Sequence, residues 1–477
     1  MDPSAEGPAP RPGHPPVNYT RGPDTRGWGG GYWWQNTREP YYNALVSGDA
    51  DLLKSLYPMY LDMLPLLQLR NRLWFDDSSN GGFFPETTTI WGTYRAKDYG
   101  WCHNASQRWF VPELGRRIPV PENTFIRYHT VGGLELVNLL LRHHEFAPNA
   151  TFAQSTLLPV ADAVLAHYAN HWPKRDARGK IVMMPSQALE THQCEYPAPG
   201  FGGQPANRSD CVTNPTPDVA GLRAVVQRML ALPAVLLQPH RARFLQGLLE
   251  AIPDLPSDGS KLLAAASVGG KPGNSENPAL YAVYPFKLFD SAFSQGASTE
   301  IGVSTYRNRP NPGNVGWRQD LVDAAVLGLR DEAMEQVIWR AGHGDCPPET
   351  QAYCRQHYCQ CTEGGWRWPG FAQGFQDYAP SLDHFSWLRT AVHEMLLHER
   401  SPALLNATAD ANATIALFAG LPPGVDASFK LHGPNRSVIE GRCEGGQVAS
   451  LHVSPVAMAG RVAVLGCGPA GVSRKGE

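Results

Sequence analysis

The chain has 477 residues, 42% of them apolar and 10% aromatic, enough to bury one large core with an appended module. A formal net charge of -3 gives no field of one sign for a phosphate backbone or anionic lipid, which argues against nucleic acid as a partner. No run approaches the roughly 20 consecutive apolar residues that a bilayer-spanning helix needs, so no membrane span is expected.

Residues 1–26 are rich in Pro, Gly and charge and read as a disordered lead-in, because they carry too few apolar side chains to offset the entropy of ordering. The stretch GWGGGYWWQNTREPYY follows, with Trp33 and Trp34 beside Gln35, Asn36 and Arg38. Aromatic faces next to amide and guanidinium groups suit sugars, whose C–H faces pack on rings while their hydroxyls seek polar partners. An aromatic core is the competing reading, and the glycines at 27 and 29–31 favour a loop. Onward to about residue 410, apolar residues recur at i, i+3, i+4 and i+7 in 41–67, 133–144, 152–171, 219–237, 241–252, 319–329, 330–340 and 385–398. Long loops rich in Gly, Pro and aromatics separate these segments, and such loops in a compact domain commonly carry function. Residues 27–410 are therefore expected to form a helical toroid. Residues 411–467 change to short alternating runs (SFKLHG, VASLHVSP, RVAVLGC) and are expected to form a small β-sandwich module, with 468–477 as a flexible tail.

Seven N-x-S/T sequons, at Asn18, Asn104, Asn149, Asn207, Asn406, Asn412 and Asn435, point to a glycoprotein that is secreted or held in a secretory or lysosome-like compartment. The start MDPSAEGPAPRPGHPP lacks the pattern of a secretory signal. Nine cysteines occur, and Cys346, Cys354, Cys359 and Cys361 crowd one polar stretch, which reads as a disulfide-stapled insertion. Their spacings match no common zinc pattern, so no metal is expected, and no cofactor motif is present. There is no GxSxG elbow, phosphate-binding loop or dinucleotide fingerprint, and HEMLLH at His393–His398 spaces its histidines five apart, unlike the zinc-protease pair.

Loop carboxylates remain: Glu86 in FFPET, Glu190 in MMPSQALETH, Glu276 in SENPALY, Asp320 in GWRQD, and Asp377 and Asp383 in FQDYAPSLDHF. Glycoside hydrolysis needs two carboxyls, one to protonate the glycosidic oxygen and one to attack or to activate water. Each of the six taken alone reads as readily as a helix cap or a loop ion pair.

These loops and their order resemble glycoside hydrolase family 95, the inverting α-L-fucosidases and related (α/α)6-barrel enzymes, over about residues 27–445. IVMMPSQALET is similar to the family segment ending in the general acid, which implies that role for Glu190. NPTPDVAGLRAVV resembles the family's PT-x-D helix start, with Asp218 at the aspartate, and ENPALYAVYP its LYxLYP loop without the usual histidines. SLDHFSWLRTAVHEMLLHE resembles the segment that presents the general base, which implies that role for Asp383. The family's NxN motif, which holds the water, is matched in WQNTREPYY by Asn36, with Trp34 where the first asparagine would stand and Gln35 beside it as a replacement amide. SFKLHGPNRSVIEG resembles the family's closing β module. The family's N-terminal β-sandwich has no counterpart, which implies a piece of a longer protein.

The resemblance implies a mainly α fold, an (α/α)6 toroid of the six-hairpin glycosidase kind with a small C-terminal β module, and an inverting glycosidase acting on an oligo- or polysaccharide. Glu190, Asp383 and Asn36 are the expected catalytic residues. Trp33, Trp34, Gln35, Arg38, Arg127, His129, Trp317, Arg318 and Asp377 are the expected sugar contacts, from loops that would line the cavity. A carbohydrate-binding glycoprotein without turnover is the first alternative. A polysaccharide lyase using Tyr128 and His129 is the second.

Overall fold

A computed structural model describes residues 31–74, 79–92, 109–111, 116–118, 123, 125–194, 211–269, 272–294, 296–314, 316–341, 361–362, 365–366, 382–405 and 413–468. The chain enters through β1 (Tyr32–Trp33), paired antiparallel with β2 (Thr87–Thr88), and turns at once into α1 (Trp34–Tyr42). The other principal helices are α2 (Leu53–Asp62), α3 (Leu64–Trp74), α4 (Gly132–Phe146), α5 (Leu158–Asn170), α6 (Thr216–Leu230), α7 (Pro239–Ala251), α8 (Ala297–Arg307), α9 (Asp320–Val326), α10 (Arg330–Arg340) and α11 (Leu382–Leu396).

Neighbour relations close these elements into a ring. α1 packs on α4, α4 on α6, and α6 on the short helical turn Pro278–Ala282. Gln319, at the start of α9, donates to the Tyr284 carbonyl at 2.5 Å, α9 packs on α11, and α11 returns to α1. Six inner positions result. The helices between them in sequence, α2 and α3, α5, α7, α8 and α10, form the outer layer. The sequence explains the division: GGLELVNLLLRHHEF in α4 is buried on nearly every side, whereas PHRARFLQGLLEA in α7 buries only Leu245 and Leu248. Close approach of the inner helices relies on two glycines. A Cβ on Gly132 would come within 3.1 Å of the Trp34 ring, and one on Gly221 within 2.5 Å of Phe286.

The inner helices point their N-termini to one end. At the other end the charges pair. Arg142 donates to Glu399 (Nε–Oε1 2.6 Å), Lys287 contacts Glu394 (2.7 Å) and Glu399 (3.1 Å), His398 Nδ1 lies 2.7 Å from Glu394, and Arg400 donates to Asp290 at 2.8 Å. All of these groups are buried.

Directly after α11, β3 (Leu397–Glu399) pairs antiparallel with β4 (Ile415–Leu417), and β4 pairs parallel with β8 (Val462–Val464). A separate antiparallel sheet of β5 (Ala427–Gly433), β6 (Ser437–Glu444) and β7 (Gln447–Ser454) follows the expected alternating runs. Phe418 and Ile439 belong to the same apolar core as Leu134 and Trp387, and the β5–β6 turn donates Asn435 N–H to the Glu145 carbonyl (2.8 Å). Disulfides join Cys194 to Cys211 and Cys443 to Cys467. The polar cysteine cluster lies outside the described residues apart from the backbone of Cys361. Of the sequons, Asn149 and Asn435 are described and exposed.

Two helical expectations differ from the fold. WQNTREPYY is α1, not a loop, and helical periodicity beginning at Tyr41 breaks after Tyr42 because Pro40 withholds an internal N–H from α1. α8 escapes sequence periodicity because ASTEIGVSTYR is polar and β-branched and buries only Gly302, Thr305 and Tyr306.

Candidate active site

α1 organises the site. Its N-terminus is capped from outside: Glu86 accepts Trp34 N–H on its carbonyl and Gln35 N–H on its carboxyl, both at 2.7 Å. The Glu86 carboxyl is also 3.2 Å from His129 Nδ1. Burial pushes Glu86 well above the usual carboxylate range, and the neighbouring Glu190 charge pushes the same way, against the Gln35 N–H. Burial and then the Arg38 charge lower His129 to about 3, so the ring is neutral.

Glu190 sits on a tight loop. Ala188 and His192 exchange backbone hydrogen bonds across it (3.0 and 3.1 Å), and Leu189 takes the left-handed conformation at φ 53°, an expensive geometry for a branched side chain that the loop enforces. Gln187 donates to the carbonyls of Leu189 (2.8 Å) and Phe125 (2.7 Å) and accepts Tyr128 N–H, tying this loop to the segment that carries Arg127 and His129. Glu190 is 6% exposed, and its carboxyl accepts from Gln35 Nε2 at 3.1 Å and Asn274 Nδ2 at 2.7 Å. Met183 and Leu189 beside it are fully buried.

Asp383 opens α11, in the first turn, where a helix favours an ionised carboxylate. Asn36 Nδ2 donates to its Oδ2 at 3.1 Å and lies 3.0 Å from His384 Nε2. An amide N–H can only donate, so His384 Nε2 is the acceptor there. Adjacent residues of one helix thus each hold one carboxyl: Gln35 holds Glu190 and Asn36 holds Asp383. Gln35 does not stand beside Asn36 at Asp383, where a replacement amide for the water would be needed.

The other expected sugar contacts divide. Trp34 is a core residue, 2% exposed, with its ring edge-on to Tyr60 at 5.2 Å and backed by Gly132; helix α1 turns it inward, away from the carboxyls. Arg38 is buried in an ion pair with Glu135 and donates to Tyr281 Oη at 2.6 Å, so its fork is occupied by protein groups. Arg127 and His129 are buried in the loop behind Glu190, and Trp33 is half-buried on β1. Trp317 and Arg318 are half-buried. Trp317 accepts the Trp387 indole N–H on its carbonyl (3.0 Å) and places its ring 6.2 Å from that of His384, while Arg318 donates to the Pro312 carbonyl at 3.1 Å. Asp377 lies outside the described residues.

Four residues near the carboxyls were not singled out by sequence. Asn274 sits in the loop that lacks the family histidines, and that departure was the available signal. His384 follows Asp383 directly. Glu39, one turn beyond Gln35, is fully buried; burial and then the Asp383 charge push it well above the usual range, against Arg38, Arg340 and the Trp387 indole. Arg340 braces the 314–318 loop and the start of α11, donating to Asn314 Oδ1 (3.0 Å) and to the His384 carbonyl (2.8 Å). Glu276, also buried, is raised to about 7, chiefly by burial. Among the described residues no group of three His, Cys, Asp or Glu side chains could hold a metal ion, and no helix is long and apolar enough to cross a membrane.

Eighteen solved chains match this arrangement of helices. One is the "Putative kojibiose phosphorylase from human microbiome", with a TM-score of 0.50 and 9% sequence identity over 88% of this chain. The fold is an (α/α)6 toroid with a small C-terminal β region. The chain spans 56% of the length of that solved structure. No protein-family model matches the chain, and no curated protein matches it in sequence.

Proposed function

We propose that this protein is an inverting glycoside hydrolase of the family 95 kind, acting on an α-L-fucoside or a related sugar of an oligo- or polysaccharide. Glu190 protonates the glycosidic oxygen. Asp383 takes a proton from the water that attacks the anomeric carbon from the opposite face, so that the C–O bond breaks as the new one forms and the configuration inverts. Asn36 positions Asp383 and the attacking water, with His384 fixing the Asn36 amide. The observation that carries the reading is the continuous link Glu190–Gln35–Asn36–Asp383, which holds an acid candidate and a base candidate to one short helix. Trp33, Trp317 and Arg318, half-buried near this link, are the side chains proposed to contact sugar. A lyase reading is disfavoured, because His129 is buried against Glu86 rather than presented as a base. Two disulfides and the sequons support a secreted glycoprotein.

The test is a screen of aryl glycosides and plant or algal polysaccharides, followed by proton NMR of the first-formed product. Release of a reducing sugar of inverted configuration, unchanged by added inorganic phosphate, supports hydrolysis. A retained anomer rejects the mechanism, a sugar phosphate formed only with phosphate present would make the protein a phosphorylase, and binding without turnover would make it a lectin.

A further inference from the structure

Glu190 carries an asymmetry that its assignment as an acid does not explain. Both of its oxygens face amides, and amide N–H groups favour the ionised carboxylate over the protonated form that an acid must hold before each turnover.

The two amides are held differently. Asn274 accepts Ser275 N–H on its own Oδ1 at 2.8 Å, so rotating its amide would set one donor against another. Asn274 is therefore locked with Nδ2 toward Glu190 Oε2. Gln35 has no such lock, since its Oε1 is buried and accepts no hydrogen bond among the described residues. Turning the Gln35 amide by half a rotation exchanges which end faces Glu190 Oε1 and leaves the other end unpartnered either way, so once Oε1 carries a proton the turn keeps one hydrogen bond to Glu190.

We propose that Asn274 and Gln35 are positioning residues forming a two-amide clamp on Glu190, Asn274 as a fixed donor to Oε2 and Gln35 as a reversible partner, so that the exchangeable proton resides on Oε1. When Glu190 is ionised, Gln35 donates to Oε1 through Nε2. When Glu190 is protonated, the Oε1–H donates to Gln35 Oε1. The proton then sits on the oxygen that faces α1, the helix that also carries Asn36 to Asp383. This refines the general-acid reading and rests on it for its catalytic meaning, but the clamp itself is a statement about one carboxyl.

The test is a pH titration of the full chain labelled with carbon-13 at the glutamate carboxyls, with the Glu190 resonance assigned by its loss in Glu190→Gln. Asn274→Ala removes a donor that serves only the ionised form and moves the Glu190 midpoint up by about one pH unit. The near-isosteric Asn274→Asp, which keeps the Ser275 contact and adds a like charge, moves it further and stands in if the alanine variant does not fold. Gln35→Met removes a partner of both forms and moves the midpoint by less than Asn274→Ala. An unmoved or lowered midpoint in the Asn274 variants overturns the clamp, and so does a Gln35→Met shift as large as that of Asn274→Ala. Turnover of Glu190→Gln, measured alongside on 4-nitrophenyl and phenyl glycosides, separates the two ideas: midpoints as expected with full turnover in Glu190→Gln leave the clamp standing and remove the acid role.

Discussion

The two ends of the inner ring bury similar carboxyls and treat them in opposite ways. At the far end, Arg142 and Lys287 hold Glu399 well below the usual range against the upward push of burial, and Asp290 is lowered to about 2 by His398, Arg400 and the Phe293 N–H, again against burial. At the N-terminal end, burial dominates: Glu39 and Glu86 are pushed well up, and Glu276 and Asp218 reach about 7. Burial is common to both ends, and the cations at the far end outweigh it at Glu399 and Asp290, whereas at the N-terminal end Asp320 stays raised even beside Arg309. One end uses its carboxyls for cohesion, and the other raises several of them above the usual carboxylate range, as sites that handle protons commonly do.

The largest expected effect lies at the N-terminal end. Glu190→Gln lowers turnover of a substrate with a poor leaving group by about 100- to 10,000-fold while the melting temperature stays nearly constant; steady-state rates on phenyl and 4-nitrophenyl glycosides check this, and full turnover on both removes Glu190 from the chemistry. At the far end the balance reverses. Arg142→Ala leaves Glu399 buried beside a lost partner and costs about 3–5 kcal/mol of stability, read by urea denaturation, with the kcat of the remaining folded protein unchanged. An Arg142→Ala protein of wild-type stability would show that the cation is dispensable and the comparison misdrawn.

A smaller pair of effects concerns pH. Asp290 is lowered in the fold, so its contribution is present above about 4 and lost as pH falls toward 2; the stability deficit of Asp290→Asn therefore shrinks over that window. Glu276 is raised in the fold, so its contribution is present below about 4.5 and lost as pH climbs through about 7; Glu276→Gln gains on wild type over that climb. Thermal melts from pH 2 to 8 test both, and parallel wild-type and variant curves would contradict the difference between the ends. The smallest effect is expected at Trp34, whose buried indole N–H donates to no partner among the described residues. Trp34→Phe changes stability by about 1 kcal/mol or less and leaves sugar affinity unchanged, which calorimetry with the identified sugar can check.

What the sequence reveals follows the range of the forces involved. Helices α4 and α6 are legible because a dense apolar repeat outweighs the few polar residues that they also bury. Glu190 and Asp383 stand out because each sits in a distinctive local string. α1 hides, because its residues are polar, aromatic or proline and are buried by tertiary contacts rather than by an apolar stripe. Trp34 and Arg38 look like sugar contacts in the string WWQNTR, yet the helical turn sends one to the core and the other to Glu135. The far-end pairs made by Arg142, Lys287 and Arg400 join residues more than a hundred positions apart, and no local pattern announces them.

The closure of the ring between α1 and α11 also orders events in time. The contact between Asn36 and Asp383 spans 347 residues, the length of chain that must leave the ribosome after α1 before its last neighbour exists. At 5–20 residues per second that wait lasts roughly 20 to 70 seconds. Late in it, once Asn274 has emerged, the nascent chain can assemble Glu190 with Gln35 and Asn274, but Asp383 is still to come, so the two carboxyls come under one helix only when α11 has been made.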